Sequence, residues 1–197
     1  INGNYATTYR RHEYIWMIVT GNSRQGLAHS IHKLYPNAKF VSRSTGVNLT
    51  DNSDMEWFAQ EAAKHSQIII NSALWRFHQT VLLDLVYKAC KTANNDAHIV
   101  CVGSTTDRTS KGTSWLYNAE KRALADYCNS LGLIGVWHSG PKITLISFGT
   151  LDNNQHKHPD RVCMHTDVAA EYIKWVLDQP QGYCVNNLSI DPMQERQ

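Results

Sequence analysis

No Pro/Gly/Ser-rich stretch, internal repeat or low-complexity tract interrupts these 197 residues, so nothing marks a linker between domains. Charge of one sign is lacking too. Nineteen Lys and Arg against seventeen Asp and Glu leave a formal charge of +2, without the concentrated positive field that nucleic-acid binding requires. Cysteine is sparse: Cys90, Cys101, Cys128, Cys163 and Cys184 are odd in number, form no Cys-x-x-Cys pair and sit mostly in apolar runs. That usage fits a reducing compartment, and the expected location is cytoplasmic. The longest apolar run near the start, Ile15 to Val19, is too short to span a bilayer, and no charged region, apolar core and cleavage site line up as a signal peptide. Neither a membrane nor a nucleic acid is expected as a partner.

A hydrophobic content of 42% with 18% charged residues fits a soluble domain with a real core. Residues 1–13 are polar, with Arg10, Arg11 and His12 adjacent, and read as an N-terminal arm; residues 14–197 read as one domain. Ile/Val-rich runs place strands at Ile15 to Thr20, Lys39 to Ser42, Ile68 to Asn71, His98 to Gly103, Leu133 to Trp137, Ile143 to Phe148 and Tyr183 to Ile190. Helical spacing links Leu27, Ile31 and Leu34; Met55, Phe58 and Ala62; Val81, Leu82, Leu85, Val86 and Ala89; Leu116, Ala119, Ala123 and Tyr127; and Val168, Tyr172 and Val176. Asp51 or Ser53, and Thr166 or Asp167, are candidate helix N-caps. The alternation predicts an α/β domain with a parallel sheet flanked by helices.

The run Ile18-Val19-Thr20-Gly21-Asn22-Ser23-Arg24-Gln25-Gly26-Leu27-Ala28 leaves a buried strand, passes two glycines and enters a helix. Backbone amides and the helix dipole at such a turn hold a pyrophosphate, and a Cβ there would strain the turn or strike the phosphates. A tight βα connection with no ligand has the same pattern. The turn resembles the Thr-Gly-x-x-x-Gly-Ile-Gly opening of short-chain dehydrogenases/reductases, with one extra residue between the glycines and Ala28 in place of the last glycine. The resemblance implies a Rossmann-type, doubly wound sheet in a single domain, binding a nicotinamide dinucleotide through Gly21, Ser23, Arg24, Gly26 and Leu27.

After the second strand comes Val41-Ser42-Arg43-Ser44, with no acid before Asp51. A carboxylate there would select NAD, whereas Arg43 with Ser42, and Arg24 from the glycine turn, suits the 2′-phosphate of NADP. NADP is therefore expected over NAD. Val47-Asn48-Leu49-Thr50-Asp51 resembles the family's adenine-lining segment, with Asn48 in place of aspartate and Leu49 beside it. The few residues between Arg43 and Asn48 leave no room for the usual crossover helix. Asn71-Ser72-Ala73 resembles the family's Asn-Asn-Ala-Gly beside the cofactor, with Leu74 replacing glycine.

Tyr-x-x-x-Lys occurs three times, and only Tyr117 with Lys121 has a serine thirteen positions earlier, Ser104, at the end of an apolar strand. One helical turn brings Tyr117 and Lys121 to one face, where the ammonium is expected to lower the tyrosine pKa. A surface pair beside a strand-end cap is the plain alternative. By resemblance Tyr117 gives or takes the substrate proton, Lys121 also holds the nicotinamide ribose, and Ser104 orients the carbonyl. Phe148-Gly149 resembles the Pro-Gly that closes over the nicotinamide, and Asn153 stands in the place of a threonine that contacts the carboxamide. Asn187-Leu188-Ser189-Ile190-Asp191-Pro192 resembles the last strand of the family's carbonyl reductases. The asparagine that often completes a proton relay has no counterpart; His78 and Gln79 stand near its place and neither is assigned.

His156, His158 and His165 fit no zinc motif, and no metal is expected. Thr150 to Thr166 is short and polar, either a substrate lid or a connecting loop. The expected function is an NADP-dependent oxidoreductase acting on a small carbonyl or alcohol, paired as a homodimer or homotetramer through the helix of Tyr117 and Lys121. Two rivals are a non-catalytic dinucleotide-binding regulator on the same scaffold and an extended-type enzyme of nucleotide sugars. Too few residues follow Gly149 for the sugar-nucleotide domain of the latter.

Overall fold

The computed structural model describes residues 17–71, 76–108 and 114–193, with the backbone alone at 136. The N-terminal arm at 1–13, together with Ser72 and Ala73, lies outside the described residues. Six strands run in parallel: β1 (Met17–Thr20), β2 (Lys39–Val41), β3 (Gln67–Ile70), β4 (His98–Ser104), β5 (Lys142–Phe148) and β6 (Asn187–Ile190). Their order across the sheet is β2-β1-β3-β4-β5-β6. Five helices join them: α1 (Gly26–Leu34), α2 (Asn52–Ala62), α3 (His78–Thr92), α4 (Leu116–Trp137) and α5 (Thr166–Leu177).

Period-two alternation sends successive strand residues to opposite faces, and both faces are covered. Ile18, Ile68, Ile70, Ile99, Cys101, Ile143 and Leu145 pack with Phe58 of α2, Leu82 and Val86 of α3 and Leu124 of α4. Val19, Ile69, Val100, Val102, Ile146 and Phe148 pack with Ile31 of α1 and Ile173 of α5. This is a doubly wound, three-layer α/β domain. A common doubly wound order places a third strand outside the second before the chain crosses back. Here the chain leaves β2 through a single 3-10 turn, Arg43–Thr45, closed by Gly46 at φ +86°, and passes through a short loop into α2. The third strand is thus missing as well as its crossover helix.

Several expectations need correction. Leu133 to Trp137 is the last part of α4, not a strand. The final strand is confined to Asn187–Ile190. On α4 the buried row is Glu120, Lys121, Leu124, Cys128 and Leu131, so Leu116 and Ala119 face outward. On α5 the buried row is Ala169, Ala170, Ile173, Val176 and Leu177, leaving Val168 and Tyr172 exposed. Asp51 caps α2 by accepting from the Ser53 amide at 3.0 Å, whereas α5 is capped by His165, whose ring nitrogen accepts from the Asp167 amide. Among the described residues no helix is long and apolar enough to cross a membrane.

Candidate active site

The site lies at the C-terminal ends of β1, β3, β4 and β5, where open α/β sheets take their ligands. Gly21 follows β1 with φ +133°, and a Cβ there would stand 2.9 Å from the Ala28 Cβ and 3.1 Å from Asn71 Nδ2. Its amide donates to Val41 O at 2.8 Å, which ties the turn to the end of β2. Asn71, after β3, donates its own amide to Thr20 Oγ1 at 2.9 Å, so the ends of β1 and β3 are locked together. Asn22 accepts the Arg24 amide at 3.0 Å, and the His29 ring nitrogen bonds the Ser23 carbonyl at 2.9 Å, fixing the loop ahead of α1. Gly26, at φ +52°, opens that helix, whose first turn carries neither a side-chain cap nor an acidic residue. A helix start of this kind is open to an anion. Leu27 turns its side chain into the core and contributes backbone alone.

Asn153, at the start of the 3-10 helix Asp152–Lys157, places Nδ2 2.7 Å from where a Gly26 Cβ would stand. It therefore borders the phosphate turn. Gly149 ends β5 with its amide on Ile190 O at 2.9 Å, under Asp191 and Pro192. On the adenine side, Ser42 and Arg43 form the tight turn after β2, with Ser42 Oγ 2.7 Å from Ser44 Oγ. The side-chain oxygen of Asn48 accepts from Thr50 Oγ1 at 2.9 Å, so it is engaged in its own turn. Leu49 is buried in the core beneath.

Ser104 ends β4, and its Oγ accepts from Thr106 Oγ1 at 3.2 Å. Its side chain also hydrogen-bonds Tyr117, one residue inside α4, across the strand-to-helix gap. Lys121 is 5% exposed and stands with Nζ 5.5 Å from the Tyr117 ring centroid. The fold therefore brings Ser104, Tyr117 and Lys121 together. Their electrostatics differ from expectation, because burial raises the Tyr117 pKa, with Glu120 and Asp107 adding to the rise and the Ser104 bond opposing it. Lys121 does not reverse this: its ammonium donates to Gln79 Oε1 at 2.7 Å and Val102 O at 3.4 Å. Burial brings Lys121 itself down to about 8.

Of three further neighbours, the sequence reading named Gln79 without assigning it and missed Glu120 and Asp107. Gln79, near the place of the family's relay asparagine, lies in helical register with Leu82, Leu83, Val86 and Cys90. Glu120 is buried and accepts the Arg76 amide. Arg76 and Phe77 hold φ of 58° and 62°, a left-handed pair that the Glu120 carboxylate braces. Asp107 accepts the Ser147 hydroxyl from β5. No local pattern signals the last two, since each partner is distant in sequence. Among the described residues no group of His, Cys, Asp and Glu is arranged to hold a metal.

No protein-family profile and no curated protein matches the sequence. Solved structures do. A short-chain dehydrogenase from Burkholderia cenocepacia in complex with NADP superposes with TM-score 0.70 at 12% identity, over 89% of this chain and 87% of the other. A short-chain dehydrogenase/reductase from Vibrio parahaemolyticus gives TM-score 0.70 at 16% identity, over 90% of this chain and 100% of the other. An alcohol dehydrogenase from the archaeon Thermococcus sibiricus, complexed with 5-hydroxy-NADP, gives 0.66 at 12% identity, over 89% and 94%. Such identities speak to architecture, and the chain has the Rossmann-type fold of the short-chain dehydrogenases/reductases.

Proposed function

We propose that this protein is a short-chain dehydrogenase/reductase that transfers hydride between NADP and a small carbonyl or alcohol compound. The observation that carries the reading is the meeting of Ser104, Tyr117 and Lys121 on the same sheet edge as a glycine turn whose helix starts without a side-chain cap. The residues present fit a dinucleotide. Gly21, Ser23, Arg24, Gly26 and Leu27 would hold the pyrophosphate, with Asn71 and Gly149 flanking the nicotinamide half and Ser72 and Ala73 assigned there by resemblance. Asn48 and Leu49 would border the adenine. Ser42 and Arg43 would take the 2′-phosphate, where the chain offers an arginine and no carboxylate between Gly21 and Thr50. NADP in the solved Burkholderia cenocepacia structure supports that choice.

The bound dinucleotide supplies the hydride, and the chain supplies position and charge. Ser104 donates to the substrate oxygen and stabilises its developing negative charge. Tyr117 gives its phenolic proton to that oxygen during reduction and takes it back during oxidation. A phenol titrates near ~10, and burial raises Tyr117 further, so its resting form is the neutral acid. Lys121, protonated at neutral pH, would stabilise the phenolate left behind and, by resemblance, would hold the nicotinamide ribose.

The test is NADPH oxidation against a panel of aldehydes, ketones and keto-sugars. Tyr117→Phe is expected to lower kcat by about a thousandfold, within the range of positioned proton transfer, while NADPH binding stays within about twofold. Tight NADPH binding with no turnover on any member of the panel would favour a non-catalytic dinucleotide-binding regulator on this scaffold.

A further inference from the structure

Gln79 is 4% exposed, a carboxamide on the inner row of α3 among apolar side chains. Its Nε2 donates to Ile70 O at 3.1 Å and to Val102 O at 3.0 Å, carbonyls of the neighbouring strands β3 and β4. Its Oε1 accepts from Lys121 Nζ at 2.7 Å. The amide has no freedom to flip, because the carbonyls only accept and the ammonium only donates. The sheet thus clamps the nitrogen, and the clamp aims the oxygen. With Val102 O as a second acceptor at 3.4 Å, Lys121 has two of its three N–H groups engaged on the sheet side.

We propose that Gln79 is a positioning residue of the reaction centre: its side-chain oxygen holds the Lys121 ammonium in place beside Tyr117 and keeps it charged inside the protein. The proposal rests on the reading of Tyr117 and Lys121 given above. The groups facing that ammonium are Gln79 from α3, Cys101 from β4, Asp107 from the turn after β4, and Tyr117, Glu120 and Cys128 from α4. Two carboxylates are among them: Glu120 accepts the Arg76 amide, and Asp107 accepts the Ser147 hydroxyl through Oδ2 while its Oδ1 is buried without a partner, and neither hydrogen-bonds the ammonium. Burial works against the charge, and Gln79 is the nearest oxygen that answers it. A neutral acceptor holds the ammonium without binding it into a salt bridge, which leaves its charge to act on the phenolate. Glutamate would keep an oxygen toward Lys121 but would lose both donors to the strands. Leucine would offer neither.

The experiment follows the Lys121 Cε and Nζ resonances in the full chain labelled with 13C,15N-lysine, identified by their loss in Lys121→Arg. No cofactor or substrate is needed. Circular dichroism confirms that each variant is folded. The Lys121 midpoint is expected to fall by about one pH unit in Gln79→Leu and to rise by about one in Gln79→Glu. Midpoints that coincide in wild type and Gln79→Glu overturn the proposal, and that pair decides alone if Gln79→Leu does not fold. In NADPH oxidation the alkaline limb of kcat should move in the same two directions, with KM unchanged. A limb that stays fixed while the resonances move also overturns the positioning role. Absence of NADPH binding with displaced midpoints would instead remove the hydride-transfer reading and leave the Gln79–Lys121 contact standing.

Discussion

His98, at the start of β4, bonds Thr144 Oγ1 through Nε2 at 2.8 Å, and burial with the nearby Lys142 charge pushes its pKa down to about 4. A histidine in the unfolded chain titrates near ~6.5, so between the two values the unfolded state binds the extra proton. Its contribution is complete above ~6.5 and is lost as pH falls toward about 4. His98→Gln keeps a side-chain amide for Thr144 and cannot charge. Urea unfolding at pH 7.5 and pH 4.5 should show the wild type losing on the order of 1 kcal/mol more than the variant across that interval. Equal losses would mean that His98 does not carry this part of the acid sensitivity. The same competition of burial against charge acts on Lys121, where the outcome bears on chemistry rather than stability.

At the scale of elements, α4 carries Tyr117 and Lys121, the proposed reactive pair, and also a second feature. Its outward row holds Leu116, Leu133, Ile134 and Trp137, the last two turns reaching 60% exposure at Leu133 and 79% at Trp137. Apolar side chains so placed on one helix suit an interface more than water. The proposed homo-oligomer would cover them. Leu133→Glu should lower the apparent mass in analytical ultracentrifugation to that of one 22.4 kDa chain while leaving the fold intact. A wild type that already sediments as a monomer at micromolar concentration would sink that reading. The same helix shows where sequence periodicity falls short. Leu133-Ile134-Gly135-Val136-Trp137 reads as a strand because a short apolar run has no period that separates the two forms. The row through Leu116, Ala119 and Ala123 was apolar and helical, yet the core took Glu120 and Lys121 instead, since the site's polar partners lie inward. By contrast β1, β3, β4 and β5 were legible from Ile/Val content, and the Gly21 and Gly26 turn from its glycines, whose positive φ the structure bears out. Glu120 and Asp107 were hidden, and Gln79 was named but left without a role, because their partners lie far along the chain.

On the scale of the whole molecule, two apolar layers fix a parallel sheet, and the sheet fixes the line along which the strand ends open. Loss of the outer strand leaves β2 as the edge, with Arg43 at its C-terminal end close to the glycine turn through the Gly21 amide bond to Val41. The proposed adenine side would therefore be built from one tight turn and the loop before α2, not from a strand and helix. Such an edge would offer the 2′-phosphate of the proposed NADP the exposed Arg43, while the acids that follow, Asp51 and Asp54, accept the Ser53 and Asn48 amides. The most direct measurement of the account is a fluorescence titration of the protein with NADPH and with NADH, repeated on Arg43→Ala. Binding of NADPH about tenfold tighter than NADH, with that advantage lost in Arg43→Ala, is the predicted result. Binding of neither dinucleotide at millimolar concentration would contradict it.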